Sequence, residues 1–356
     1  MRTKYELIRQ EIISALQRGE WKPGEQLPPL PELAKQFQAS RWATERALHL
    51  LINEGLLGRQ PKKGTFVRHA AMEELFEHAT LAVVGVGPDK WMEGDYLGPL
   101  MGNFAAELGD RDWVFLQYSR LQRAAEQLRL LGAALVVAVN PNRSHVVMLE
   151  ELASKGFHIL CLGARVNEPR LHSIAVDNMQ GVISGLRHLV QQGHRRVAFI
   201  GANTDSYDTI DRVEGFRIGV KTLGLDQDPS LLICQDHPKG IQAFVEETLD
   251  TLFSRPTPPD AIFSGGFTLT GHILEAFARR GITYPNDVSL IAFDDSSLFS
   301  HLATPLTVIK QPLAEVGKRA ARVLPLLADN IRQPIRLVLP AELLVRGSCH
   351  PTKVRV

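Results

Sequence analysis

The chain has 356 residues, enough for two or three domains with cores of their own. Hydrophobic residues at 44% and charged residues at 22% are ordinary for a soluble globular protein and exclude a collagen-like or low-complexity chain. The formal net charge of +1 is uneven: residues 1–70 carry 12 Lys/Arg against 7 acids, leaving the remainder about −4. A basic head on a mildly acidic body suits either contact with nucleic acid or a small domain with a solvated basic face. Cys161, Cys234 and Cys349 are odd in number and far apart, which fits a reducing compartment and no metal-ligand spacing. Cys161 lies in the run Ile159-Leu160-Cys161-Leu162 and reads as a buried small hydrophobe. The start, MRTKYELIRQ, has no apolar signal core, and no apolar run approaches the ~18 residues of a membrane span. A cytoplasmic protein is expected.

Tyr5, Ile8, Ile12, Ile13 and Leu16 recur at helical spacing and predict an amphipathic helix over residues 4–18, ended by Gly19 and the Pro23-Gly24 turn. A second helix starts at Leu30-Pro31, because proline in the first turn forfeits no hydrogen bond. Ser40 is a good N-cap for a third helix. In that helix Thr44, Ala47, Leu48 and Leu51 share an inward face, so Arg41, Trp42, Glu45, Arg46 and His49 point out. The segment Arg59-Gln60-Pro61-Lys62-Lys63-Gly64-Thr65-Phe66-Val67 reads as a hairpin, with Gly64 serving the turn and Lys62 and Lys63 at its tip.

This order is a winged helix-turn-helix, and its third helix suits major-groove reading. Free N–H groups at its start attract phosphate, and arginine pairs with guanine edges. Ser40, Arg41 and Arg46 are candidates for phosphate or base contact. Glu45 either accepts from a cytosine amine or pairs with Arg41. Trp42 either meets a sugar or thymine methyl or covers the helix junction. Lys62, Lys63 and Gly64 form either a tip for phosphates or a minor-groove edge, or a solvated turn.

The head resembles the GntR family of bacterial repressors. The resemblance rests on Pro23-Gly24, Leu27-Pro28, Glu32-Leu33-Ala34, Ser40-Arg41, Ala47-Leu48, Glu54-Gly55-Leu56 and Gly64-Thr65-Phe66-Val67. Pro29 and Pro31 stand where the family usually has Ser and then Arg, and Ala43-Thr44-Glu45 where it commonly has Thr-Val-Arg. Two frequent DNA-contacting arginines are therefore missing, and the family's usual operator does not carry over.

Residues 69–79 are polar and read as a linker, partly helical over Met72–Phe76. Beyond it, apolar runs alternate with helical periodicity. The strand-like runs are Leu81–Val86, Val114–Gln117, Ala134–Val139, His158–Leu162, Ser173–Val176, Arg196–Ile200, Leu231–Cys234, Ala261–Ser264 and Val288–Phe293. This alternation predicts an α/β body of parallel sheets covered by helices, in two lobes, with ligands outside the carboxyl ends of the strands. The expected organisation is a head over residues 1–69, a linker over 70–79 and the body over 80–348.

The second half of the body resembles the LacI/GalR repressors, which look like periplasmic sugar-binding proteins. The matching segments are Val176-Asp177-Asn178, His188-Leu189, Gly193 to Gly201, Arg212 with Gly215-Phe216, Asp287 to Asp295, Pro305-Leu306-Thr307 with Gln311, and Leu344 to Ser348. A GntR head on such a body resembles regulators of the arabinose-repressor type. The resemblance implies three chain crossings between lobes, an effector between them, a homodimer on an operator, and roles for three residues. Arg212 would bind sugar hydroxyls or a carboxylate, Asp294 would accept from ligand hydroxyls, and Gln311 would line the cleft. Read locally, Arg212 pairs with a neighbour and Asp294 serves a turn. Trp91, Asp95 and Tyr96 follow the first body strand, where an aromatic platform and an acceptor fit. Arg165 sits near a crossing, reaching the cleft or serving as a hinge residue. The family commonly has Asn-Asp where this chain has Gly265-Gly266, so the effector is larger, is held by other loops, or has a weakened site.

The chain thus reads as a DNA-binding transcription regulator, a repressor by its resemblance, controlled by a small polar effector such as a sugar. A regulator with a degenerate cleft and no effector is the alternative. Hydrolytic chemistry from Cys234, Asp236 and His237, or from Asp294-Asp295, is a remote one, because no nucleophile-elbow, phosphate-loop or metal pattern accompanies them. No cofactor is implied.

Overall fold

The computed structural model describes residues 4–17, 20–21, 24–53, 57–60, 64–67, 81–85, 97–109, 113–117, 135–237, 239–327 and 333–351. The expected linker over 70–79 and the site candidates Lys62, Lys63, Trp91, Asp95 and Tyr96 lie outside the described residues.

The head begins with α1 (Lys4–Gln17), which buries Ile8, Ile12, Ile13 and Leu16 at the predicted spacing. Next come α2 (Leu30–Gln36), with Pro31 in its first turn, and α3 (Arg41–Asn53). Strands β1 (Leu57–Gln60) and β2 (Gly64–Val67) pair antiparallel, Leu57 opposite Val67. The stretch from Gly24 to Leu27 runs along β2, donating from Gly24 N–H to Val67 O at 2.9 Å and from Leu27 N–H to Thr65 O at 2.8 Å. Ile12, Leu16, Leu33, Ala47, Leu51 and Leu57 are each fully buried and close one small core. Full burial of such a side chain is worth about 1.5–3 kcal/mol, so three helices and a hairpin hold together without a large sheet.

In the body, the first lobe contains β3 (Leu81–Gly85), α4 (Leu97–Leu108), β4 (Trp113–Gln117), β5 (Leu135–Val139), α5 (Arg143–Ser154), β6 (His158–Leu162) and β7 (Leu171–Asp177). The second contains α6 (Asn178–Gln191), β8 (Val197–Gly201), α7 (Tyr207–Thr222), β9 (Leu232–Cys234), α8 (Ile241–Phe253), β10 (Ala261–Ser264), α9 (Phe267–Arg280), β11 (Ser289–Phe293), α10 (Ser297–Ser300) and β12 (Thr307–Lys310). The chain then returns as α11 (Leu313–Leu327) and β13 (Arg336–Pro340) to the first lobe, and ends with β14 (Glu342–Leu344) in the second. The sheet orders are β13-β7-β6-β5-β3-β4 and β14-β12-β11-β10-β8-β9, parallel except where β14 meets β12. The chain therefore crosses between sheets three times, as the resemblance implied.

Both faces of each sheet are covered, which is why the strands are apolar throughout rather than alternating. Leu81 and Val83 face one cluster with Phe104 and Leu324, while Ala82 and Val84 face another with Leu149 and Leu152. In the second lobe Leu290 and Ala292 face Ile273 and Phe277, while Ile291 and Phe293 face Val182 and Phe216. Where helices meet, small residues set the approach. A Cβ on Gly215 of α7 would lie 2.7 Å from the backbone oxygen of Met179 in α6.

The apolar runs located nine body strands, and the described residues contain twelve. The three without a predicted run are β12, β13 and β14. They have three to five residues each, and β13 and β14 are edge strands with mostly exposed or half-buried positions. Short edge strands such as β13 and β14 bury too little to leave a continuous apolar signal, and in the interior β12 the apolar run is only Val308-Ile309.

Candidate functional site

Two separate places gather the residues singled out in the sequence. The first is α3 of the head. Ser40 Oγ accepts from the Ala43 N–H at 3.2 Å and so caps the helix, while Thr44 Oγ1 donates to Ser40 O at 3.1 Å. Ala43, Thr44, Ala47, Leu48 and Leu51 are buried. Arg41, Trp42, Glu45, Arg46 and His49 are exposed along the opposite face. Trp42 is 69% exposed and meets the Tyr5 ring edge-on, with centroids 6.3 Å apart. The helix thus offers solvent two guanidiniums, a carboxylate, an imidazole and an indole within two and a half turns of its N-terminus. Gly64 at the start of β2 has φ +110°, a region glycine enters freely, which accounts for glycine at the end of the hairpin turn.

The second place is at the carboxyl ends of the second lobe's strands. Arg212, on α7, is 3% exposed. Its Nε donates to Asn178 Oδ1 at 2.9 Å and its Nη1 to the Gly265 carbonyl at 2.7 Å. Its guanidinium lies 3.8 Å over the Phe293 ring. Asp294 Oδ2 is 3.6 Å from Nη1, and Asp208 Oδ2 is 3.4 Å from Nη2. Nη2 is buried without a hydrogen-bond partner. Arg212 therefore ties α6, β10 and β11 together, with its Nη2 ion-paired to Asp208 but not hydrogen-bonded.

Asp294 has φ +75°, unusual for a residue with a Cβ. Its N–H donates to Ile309 O at 2.9 Å and its Oδ1 accepts from Gln311 Nε2 at 2.5 Å. The carboxylate is thereby turned out of the strand toward the lobe boundary. A cleft of ≈ 490 Å³ opens there, lined by Asp294, Ser296, Lys310, Gln311 and Glu315 and, from the first lobe's α4, by Pro99. Arg212 and Arg165 are not among its lining residues; Arg212 stands behind Asp294. The neighbouring Asp295 has a different partner, a two-pronged bond with Arg346 at 2.8 and 2.9 Å.

Arg165, after β6, faces Asp177 Oδ1 at 3.3 Å and Asp211 Oδ2 at 3.6 Å, so it joins the first lobe's strand end to α7 of the second. Burial raises the Asp211 carboxyl above its ordinary range, against the pull of Arg165. The lobes also touch where the Arg143 N–H donates to Asp205 O at 3.2 Å and where Asn142 bridges Ser206. Arg165 thus stands where the two lobes meet.

Asn178, Asp208 and Phe293 surround Arg212 but were not singled out in the sequence. The i,i+4 spacing of Asp208 and Arg212 was a visible signal. Nothing in the sequence showed that Asn178, three strands away from Gly265, shares a guanidinium with it. The remote hydrolytic grouping has structural partners instead: Asp236 accepts from the Thr204 hydroxyl at 3.0 Å, His237 stacks near Phe244, and burial pushes the Cys234 thiol up to about 11.

Residues 4–67 match the family described as bacterial regulatory proteins, gntR family, and residues 186–349 match the periplasmic binding protein-like domain. An arabinose metabolism transcriptional repressor of Geobacillus stearothermophilus is 28% identical over 365 residues, covering 97% of each chain. The HTH-type transcriptional regulator CelR of Thermobifida fusca is 30% identical over 189 residues, 51% of this chain and 53% of that one. Among solved structures, a transcriptional regulator CelR–cellobiose complex superposes with TM-score 0.66 at 21% identity, covering 90% of this chain and 100% of that one. A LacI-family regulatory protein from Chloroflexus aggregans superposes with TM-score 0.67 at 20% identity, covering 77% and 99%. At these identities the superpositions speak for the fold. Taken with the two matched stretches, they make this chain a GntR-type winged helix-turn-helix head fused to a periplasmic-binding-protein-like body.

Proposed function

We propose that the protein is a sugar-responsive, DNA-binding transcription repressor of the cytoplasm, with residues 1–69 as its DNA-binding domain, 70–79 as a linker and 80–348 as the effector domain. The observation that carries the reading is the outward face of α3, where Arg41, Trp42, Glu45, Arg46 and His49 are exposed while the other face is locked into the head's core. A helix held this way enters a major groove without unfolding anything. Arg41 and Arg46 reach bases or phosphates, and Lys62, Lys63 and Gly64 of the wing lie along the backbone. One small head makes few contacts, so a twofold dimer reading two half-sites is the working assembly.

The effector enters between the lobes. Arg212, Asp294 and Gln311 receive it, with Trp91, Asp95 and Tyr96 as further candidates from the segment after β3 and Arg165 acting at the hinge. The relatives named for arabinose metabolism and the structure with cellobiose support a carbohydrate. The cleft that opens beside Asp294 and Gln311 supports a working effector site over a degenerate one. The same relatives, both transcriptional regulators, support regulation by binding without catalysis.

The test is a gel-shift titration on a promoter fragment bearing a twofold site. Operator affinity should fall steeply with salt as phosphate contacts release counterions, and should weaken when sugar is added. Arg41→Ala should cost roughly 1–3 kcal/mol of operator binding. An Arg41→Ala protein that binds as tightly as the parent would place the recognition helix elsewhere. Tighter binding with sugar would make the effector a co-repressor.

A further inference from the structure

Gly265 and Gly266 look alike in sequence and differ in what the protein asks of them. A Cβ on Gly265 would lie 2.9 Å from the Phe199 ring and 3.0 Å from the Ile200 carbonyl, so packing requires glycine there. Gly266 has φ 174°, extended backbone open to any residue. Among the described residues, a Cβ on it would meet only Arg212 Nη1 at 3.6 Å and Asp294 Oδ2 at 4.0 Å, both ordinary contacts. Gly266 also holds the N-cap position of α9 with no side chain to cap it. A polar residue there would satisfy a free N–H of the helix. Neither conformation, packing nor capping calls for glycine at 266. The space it leaves lies directly against the Arg212–Asp294 pair.

The charge around that space is negative. Arg212 and Arg165 face Asp177, Asp208, Asp211 and Asp294. On the cleft side Lys310 stands among Asp294, Asp295 and Glu315, of which Asp295 is paired with Arg346 and Glu315 with Arg319. A phosphate or carboxylate brought to Arg212 would find carboxylates already there, whereas sugar hydroxyls both donate to Asp294 and accept from the guanidinium. We propose that Gly266 sets the specificity of the effector site: its missing side chain leaves room for an uncharged sugar ring to lie against Arg212 and Asp294. This rests on the effector reading above and names the ligand class and the residue that selects it.

Gly266→Ala and Gly266→Val add bulk without a new hydrogen-bonding group, and valine suits extended backbone. Calorimetric titration of the full-length protein with L-arabinose, D-cellobiose, other neutral pentoses, hexoses and disaccharides, D-gluconate and D-glucose 6-phosphate reads the class. At least one neutral sugar should bind saturably and the two anions should not. For that sugar, affinity should fall in the order glycine, alanine, valine, with a loss of roughly tenfold to a hundredfold at valine. Thermal melting of each variant reports the fold, and the alanine variant keeps the series readable if valine destabilises the lobe. Equal affinity across the folded variants overturns the role of Gly266 and leaves the effector reading standing. Binding of the anions alone overturns the uncharged class. Binding of no sugar by the parent protein removes the effector reading itself, and this inference with it.

Discussion

Arg212→Ala is the most informative single change, because the structure assigns Arg212 a cost that a simple ligand contact would not have. The side chain is 3% exposed and donates two hydrogen bonds, to Asn178 Oδ1 at 2.9 Å and to the Gly265 carbonyl at 2.7 Å. Bonds from a charged donor are worth about 1.5–3 kcal/mol each. Removing the guanidinium also leaves Asp294, whose Oδ2 stands 3.6 Å away, without its buried counter-charge. Breaking a buried pair by deleting one partner typically costs about 3–5 kcal/mol, a range that already contains the lost bonds and is not added to them. For a unit of 150–250 residues that corresponds to a melting temperature lower by roughly 10 °C. Differential scanning calorimetry of the full-length protein should show the transition of the body falling by that amount. Arg212→Lys should fall between, since an ammonium keeps the charge but cannot present the same fork to Asn178 and Gly265. A melting temperature within about 2 °C of the parent's for Arg212→Ala would refute the reasoning. It would mean that Arg212 holds no strand ends together and that its lost contacts are replaced by water.

Three other outcomes follow from particular contacts. Trp42→Ala should leave the melting temperature unchanged, because the indole is 69% exposed, yet weaken operator binding by about 1 kcal/mol or more, roughly fivefold in a gel shift at fixed salt; equal affinity would assign Trp42 to the helix junction it shares with Tyr5. His172 is held neutral, its pKa lowered to about 4 by burial and then by His158 and Arg336, while its Nδ1 accepts from the Ile335 N–H at 3.0 Å. The unfolded state therefore binds the extra proton between pH 6.5 and 4, so stability is full above pH 6.5 and is lost as pH falls toward 4. In urea titrations His172→Asn should flatten that slope, and an unchanged slope would place the titrating group elsewhere. A Cβ at Gly317 would come within 2.2 Å of the Leu100 carbonyl, so Gly317→Ala should force α4 and α11 apart and cost about 1–3 kcal/mol by calorimetry.

What could be read in the sequence follows from how each feature is stabilised. The inward face of α3 was legible because Thr44, Ala47, Leu48 and Leu51 obey one period, and the outward face followed by subtraction. Interior strands such as β5 and β6 were legible because both faces are buried and every residue is apolar. β13 was not, since Arg336, Val338 and Pro340 are exposed on a sheet edge and its pairing with β7 links positions some 160 residues apart. The site divides in the same way. Arg212, Asp294 and Gln311 stood in matched segments, but Asn178 and Asp208 acquire meaning only when α6 and α7 pack through Gly215. The two glycines at 265–266 could not be told apart at all, because their difference lies in what surrounds them.

That same packing explains how occupancy of the cleft can reach the head. The chain passes between lobes at Asp177–Asn178, at Gln311–Pro312 and at Pro340–Ala341. Two of these crossings carry a side chain bonded to the Arg212–Asp294 pair, Asn178 to the guanidinium and Gln311 to the carboxylate. A third link, Arg165, joins Asp177 at the first crossing to Asp211 one residue before Arg212. On the proposed function, a ligand that engages Arg212 or competes with Gln311 for Asp294 acts on the bonds that hold the crossings, and its binding energy differs between lobe arrangements for that reason. The head precedes β3 in the chain, and β3 lies between β5 and β4 inside the first lobe's sheet. Rotation of one lobe against the other then changes where a head stands relative to its twin in a dimer. Sugar and operator must oppose or support each other by one shared coupling free energy.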